Sequence, residues 1–212
     1  PISEKIGLKF CDALIKRKLK VKWFCETRVS SVTKQLLKKM KEAGCVRIDY
    51  GIEAGNQKML DSVKKGFTIE QVRKAIDATN EAGIEAEGLF ILGLPDETVQ
   101  DTWDTIHFAL SLNIDHLKFN LFVPYPGSDT WDILLGKGEL DNFNFARYTS
   151  FPSYTEGGKP IYIPKGRTYE ELLAVQQKAM RMAFFRKKVI LRELKHFKFD
   201  KISQYFSAVK AL

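Results

Sequence analysis

Apolar positions recur first with a helical and then with a strand period, and the pairing repeats along much of the chain. Positions 3–20 set Ile6, Phe10, Ala13 and Leu14 on one helical face, and residues 21–25 follow as a short strand. Val32, Leu36, Leu37, Met40 and Ala43 form a second amphipathic helix that Gly44 can stop in a left-handed cap. Val46, Ile48, Tyr50 and Ile52 then alternate as a half-buried strand. Thr68 with Gln71 predicts a capping box for a third helix carrying Val72, Ile76 and Thr79, ended by Gly83, and its strand spans residues 86–92. Asp96 or Thr98 opens a fourth helix with Val99, Trp103, Ile106 and Leu110 on its buried face, and residues 115–123 form the fourth strand. After Trp131 the pattern loosens through the aromatic-rich stretch 142–162, then resumes at Thr168, where TYEE reads as a capping box for a long helix.

Helix-strand units in this order imply parallel strands, in either an open doubly wound sheet or part of a β/α barrel. Both architectures place chemistry at the carboxyl ends of the strands, which here read CETR, GIEAGNQ, LGLPDET and FVPYPGS. Glu53 is the sharpest feature, a carboxylate at the exit of an otherwise alternating strand. It can accept hydrogen bonds from a ligand hydroxyl or amine, with Gly51 and Gly55 letting the backbone approach, or it can sit against the dipole of the following helix. Arg28 can fork onto a ligand carboxylate or bridge Glu26 or another acid. Pro95 marks where the third strand must turn, and Tyr125 can stack on a ring or cover the edge of the core.

Composition narrows the class. With 212 residues, 44% hydrophobic, the chain can bury one sizeable core, and no apolar run approaches a membrane span. With no signal peptide either, a cytoplasmic location is expected. Cys11, Cys25 and Cys45 lie at long, unrelated spacings and are expected to be reduced thiols, while His107, His116 and His196 have no ligand partner at useful spacing. The net charge of +8 sits entirely from Lys165 onward, where 12 Lys and Arg meet 4 Asp and Glu. Neither a GxxxxGKS loop nor a dinucleotide fingerprint is present.

Taken in order, WFCETR, KKMKEAGCVRIDYGIEAGNQKMLDSVKKGFTIEQV, NEAGIEAEGLFILGLPDET and FNLFVPYPGSDTW resemble the later half of the radical S-adenosylmethionine (SAM) core, in the branch whose members often carry an upstream cobalamin-binding domain. The resemblance covers residues 1–135, and YEELLAVQQKAMRMAFFRKKVILREL is similar to that branch's carboxyl-terminal region. It implies an α/β chain, a partial radical-SAM-type barrel of parallel strands with a helical C-terminal extension, divided as 1–135 barrel, 136–164 aromatic-rich connection and 165–212 basic helical tail. It also implies SAM and a 4Fe-4S cluster in the parent enzyme, with cobalamin a further candidate upstream. Glu53, Gly51, Gly55, Asn56 and Arg28 then fall near the ribose or methionyl end of SAM, while Leu92, Gly93, Val123, Pro124 and Tyr125 fall at the adenine site.

The family's CxxxCxxC cluster motif is absent. The expectation is therefore a carboxyl-terminal fragment, inactive alone and with no cofactor bound, that lacks the first strands and the cluster loop. Its expected partners are the missing amino-terminal part of the same barrel, a small-molecule or lipid-like substrate, and a second copy through an exposed strand edge. Two alternatives remain: a methylthiotransferase-like protein modifying RNA, disfavoured because no aromatic nucleic-acid signature accompanies the charge, and a non-catalytic basic adaptor touching an acidic partner or membrane surface.

Overall fold

The computed structural model describes residues 3–140 and 161–195. Within these lie α1 (Glu4–Lys16), β1 (Trp23–Thr27), α2 (Lys34–Glu42), β2 (Cys45–Glu53), α3 (Gln57–Ser62), α4 (Ile69–Glu81), β3 (Glu85–Leu92), α5 (Val99–Ser111), β4 (His116–Leu121), α6 (Asp129–Gly136), α7 (Tyr169–Phe184) and α8 (Lys187–Lys195). The strands form one sheet in the order β1-β2-β3-β4, every neighbouring pair parallel. This is the architecture of a partial β/α barrel with a helical extension. Most of the aromatic stretch (142–160) and the last part of the basic tail (196–212) lie outside the described residues.

Local chemistry explains most of the boundaries. Thr68 and Gln71 make both hydrogen bonds of a capping box, as do Thr98 and Asp101, so Thr98 rather than Asp96 opens α5. Gly44 and Gly83 adopt positive φ where α2 and α4 stop. At α7, Thr168 accepts from Glu171 N, but the Glu171 carboxylate turns to Arg167 instead of completing a box.

One face of the sheet carries the core. Ile48, Tyr50, Ile52, Ala86, Phe90 and Phe119 are all buried there, Phe90 stacks on Phe119 at 5.6 Å, and Tyr50 bonds Thr79 of α4. The opposite face is charged: Arg47 lies 2.7 Å from Asp49 and 3.4 Å from Glu87, Glu87 lies 2.7 Å from Lys118, and the Arg47 guanidinium covers the Phe24 ring.

Four large apolar positions depart from the pattern. Ile6 and Phe10, read as the buried face of α1, are exposed, and α1 instead buries Cys11. A register slip between Trp23 and Phe24 turns Val46 out of the core. Val99, in the first turn of α5, is also exposed.

The two sheet edges differ. Alongside β4 runs α7, whose buried Gln176 donates to the Phe119 carbonyl. Along β1, Phe24 remains 63% exposed.

Candidate functional site at the ends of β1 and β2

Pairing between β2 and β3 slips between Gly51 and Glu53, and Glu53 takes a left-handed φ of 73°. A non-glycine residue in that region is strained, and such strain concentrates where structure positions a side chain for use. The Glu53 carboxylate folds back over Gly51, where a Cβ would lie 3.1 Å from Oε1. There it accepts from Lys65 Nζ at 2.6 Å, both side chains being about four-fifths buried.

Lys65 arrives through α3. Asn56 caps that helix by accepting from Met59 N, and beyond Ser62 the chain reverses through positive φ at Lys64 and Gly66, with Lys65 N bonded to Leu60 O. Arg28, just past β1, donates to the Lys65 carbonyl, so the loop is held by Arg28 through its backbone and by Glu53 through its side chain. Arg28, Gly51, Glu53 and Lys65 line a cavity of about 1000 Å³ that runs along β1 past Phe24 to the apolar residues of α1.

The remaining candidates go elsewhere. A Cβ on Gly55 would lie 2.4 Å from Thr105 Cα, and its N–H donates to Thr105 Oγ1, so the close approach there is by α5. Besides capping α3, Asn56 donates to Asp101. Burial alone would raise the Asp101 pKa, but hydrogen bonds from Lys58 and Thr98 more than offset it and bring it down to about 2. Leu92 is buried in the core, and Gly93 turns the chain at φ 81° against Leu172. Val123 belongs to a small separate core with Trp131 and Tyr162, Pro124 follows it out of β4, and Tyr125 is exposed. None of Leu92, Gly93, Val123, Pro124 or Tyr125 lines the Glu53 cavity.

Two residues were not legible in the sequence, Lys65 in the cavity and Glu97 outside it. Lys65 is separated from Glu53 by a helix and a reversal, and no spacing rule connects them. Glu97 is buried beneath the Gly93–Pro95 turn, accepting from Leu94 N at 2.9 Å and from the Thr102 hydroxyl; burial, opposed by these hydrogen bonds, raises its pKa. Its position just beyond a glycine-proline turn, where a carboxylate can close on freed amides, was an available signal.

The thiols also converge. The Cys45 thiol donates to the Arg47 carbonyl at 3.5 Å, its interaction with Cys25 lowers the Cys25 pKa against the effect of burial and pushes that of Cys45 up, and burial raises Cys11. Even so, no group of three or more His, Cys, Asp or Glu among the described residues is arranged to hold a metal ion. An iron-sulfur cluster therefore does not fit these residues. The Glu53–Lys65 pair, by contrast, presents a carboxylate and an ammonium beside a cavity of ligand size, a donor set suited to an amino-acid or ribosyl group. Among the described residues no helix is long and apolar enough to cross a membrane.

Fold and site together define a partial parallel β/α barrel with a largely apolar cavity whose polar end reaches the strand ends. Residues 7–109 match the family described as the Radical SAM superfamily, and this segment belongs to it. The chain is 31% identical over 176 residues to an uncharacterised methyltransferase of Pyrococcus horikoshii, covering 83% of this chain and 37% of that protein. It is 37% identical over 149 residues to the anaerobic magnesium-protoporphyrin IX monomethyl ester cyclase of Rubrivivax gelatinosus, covering 69% of this chain and 26% of the cyclase. The chain thus spans well under half the length of these relatives. In fold, it superimposes with a TM-score of 0.63, at 14% identity, on the radical SAM methyltransferase TsrM from Kitasatospora setae with cobalamin and a 4Fe-4S cluster bound, covering 81% of this chain and 40% of that one.

Proposed function

We propose that this chain is the later part of a radical SAM enzyme and supplies one wall of its SAM site. The observation that carries the reading is Glu53, held in a left-handed conformation at the exit of β2 with its carboxylate on the cavity and paired to Lys65. Glu53 receives the ribose hydroxyls or the ammonium of SAM, Lys65 orients the carboxylate, and Arg28 fixes the loop that carries Lys65. When bound next to a reduced cluster, SAM supplies a 5′-deoxyadenosyl radical or, with cobalamin, a methyl group. The cluster ligands come from elsewhere in the parent protein, since the described residues offer no such donor set.

The sheet edges support the same reading. Because α7 occupies the β4 side, further parallel strands of the barrel add along β1, where Phe24 and the cavity are open. Without them the chain is catalytically silent.

The gene tests this first. The account expects CxxxCxxC to be encoded upstream of Pro1; a gene that starts at Pro1 with no such motif before it contradicts the proposal.

A further inference from the structure

Two segments far apart in sequence bring the same chemistry to the amino-terminal ends of the strands, the end opposite Glu53. The first is the link from α1 to β1. Over residues 16–22 it sets out Lys16, Arg17, Lys18, Lys20 and Lys22 with no acid among them, and all five are exposed. Among the described residues none of the five forms an ion pair. Ile15, Leu19 and Val21 alternate with these cations and are exposed too, Leu19 by 48%. The link has a fixed path: Lys18 turns at a φ of 53°, Leu19 N bonds Leu14 O, and Trp23 Nε1 donates to the Ala43 carbonyl.

The second segment is α8. Arg186 donates to the carbonyls of Ile114 and Asp115, Lys188 meets Asp115 at 2.9 Å, and Val189 is buried, which holds the helix against the start of β4. Lys187, Ile190 and Leu191 remain exposed on it, beside an exposed Phe185. Because the strands are parallel, the starts of β1 and β4 lie at one end of the sheet, about 15 Å apart at ordinary strand spacing. Carboxylates flanking them already have partners: Glu42 lies 3.6 Å from Lys39, Glu81 lies 2.9 Å from Lys34 and Glu85 lies 3.3 Å from His116. The charge left over at this end is positive.

We infer that this end of the sheet docks on an anionic lipid surface, with the link and α8 as its two contacts. Cations at this spacing meet the lipid headgroups, while Ile15, Leu19, Ile190 and Leu191 enter the boundary between headgroups and acyl chains. The interleaved side chains are aliphatic apart from Phe185, whereas a surface for single-stranded nucleic acid stacks successive bases on several aromatic rings. In the docked state the strand exits that carry Glu53 face away from the lipid. The inference does not depend on the SAM reading.

Co-sedimentation of the chain with phosphatidylcholine vesicles, with and without phosphatidylserine, at low and high salt tests it. Binding is expected only where phosphatidylserine is present, and is expected to weaken as salt rises. The triple variant Lys16→Gln/Arg17→Gln/Lys18→Gln is expected to bind about a hundredfold more weakly, and Leu19→Ser about tenfold. Removing the same charge elsewhere, by Lys5→Gln/Lys74→Gln/Lys165→Gln at three exposed positions, is expected to change binding by no more than about twofold. On vesicles, amide exchange of the wild type slows over residues 17–22 and 185–191. No binding to anionic vesicles at low salt, unchanged binding by the 16–18 variant, equal weakening by the control variant, or tighter binding to single-stranded RNA than to anionic vesicles at the same salt overturns the inference. Wild-type sedimentation and exchange decide it even if a variant fails to fold.

Discussion

Lys65 Nζ lies 2.6 Å from Glu53 Oε1, so the loop after α3 is bound to the end of β2 by an ion pair largely shielded from water. Lys65→Met leaves a shielded carboxylate without its partner and is expected to cost about 1–3 kcal/mol. Replacements of Glu53 separate pairing from backbone strain. Glu53→Gln loses the pair and keeps the left-handed φ of 73°, whereas Glu53→Gly loses the pair and relieves the strain. The glycine variant is therefore expected to be more stable than the glutamine variant by about 1 kcal/mol. Urea midpoints of the two variants check this, and equal midpoints contradict a strained Glu53.

Gly55 and Gly51, two residues of one motif, carry different constraints. Alanine at Gly55 places a Cβ 2.4 Å from Thr105 Cα and 2.9 Å from its carbonyl, backbone that cannot move aside without shifting α5. A loss of about 3 kcal/mol is expected. Alanine at Gly51 meets the flexible ends of Glu53 at 3.1 Å and Lys65 at 3.6 Å, so its effect falls on ligand binding more than on folding. Thermal denaturation of both variants reads the contrast.

Asp101 sets a pH dependence. Its folded pKa of about 2 lies below the ordinary 3.8, so its carboxylate adds stability that is fully present above pH 3.8 and is lost as pH falls through about 2. The difference corresponds to about 2 kcal/mol. Asp101→Asn should lower stability by about that much at neutral pH and converge with wild type near pH 2. Denaturant melts of both proteins across that range measure it, and a constant gap down to pH 2 would show that the carboxylate's charge is not what matters.

Much of this architecture was legible because it is local. The capping box at Thr68, the helix start at Thr98, the glycine stops at Gly44 and Gly83, and the alternation of Ile48, Tyr50 and Ile52 depend on neighbours within a few residues, and the structure contains each of them, whereas the box read at Thr168 is left incomplete. Glu53 was legible as a polar strand exit, and Arg28 as a charge near it. What stayed hidden depends on how elements meet. Lys65 reaches Glu53 only because α3 doubles back, Cys25 and Cys45 come into contact only when β1 pairs with β2, and Ile6 and Phe10 line a groove because nothing described covers that side of β1. Asn56 is a different case. An asparagine before QKMLDS carried an N-cap signal that its place in GIEAGNQ obscured.

The most direct test of the account is SAM cleavage. The chain, reconstituted anaerobically with iron and sulfide, reduced and supplied with SAM, is assayed by mass spectrometry for 5′-deoxyadenosine beside the same chain joined to its upstream coding sequence. The account predicts 5′-deoxyadenosine only from the longer protein, and its loss there on Glu53→Ala. Cluster-dependent formation of 5′-deoxyadenosine by this chain alone would contradict the claim that it is one wall of a site completed from elsewhere.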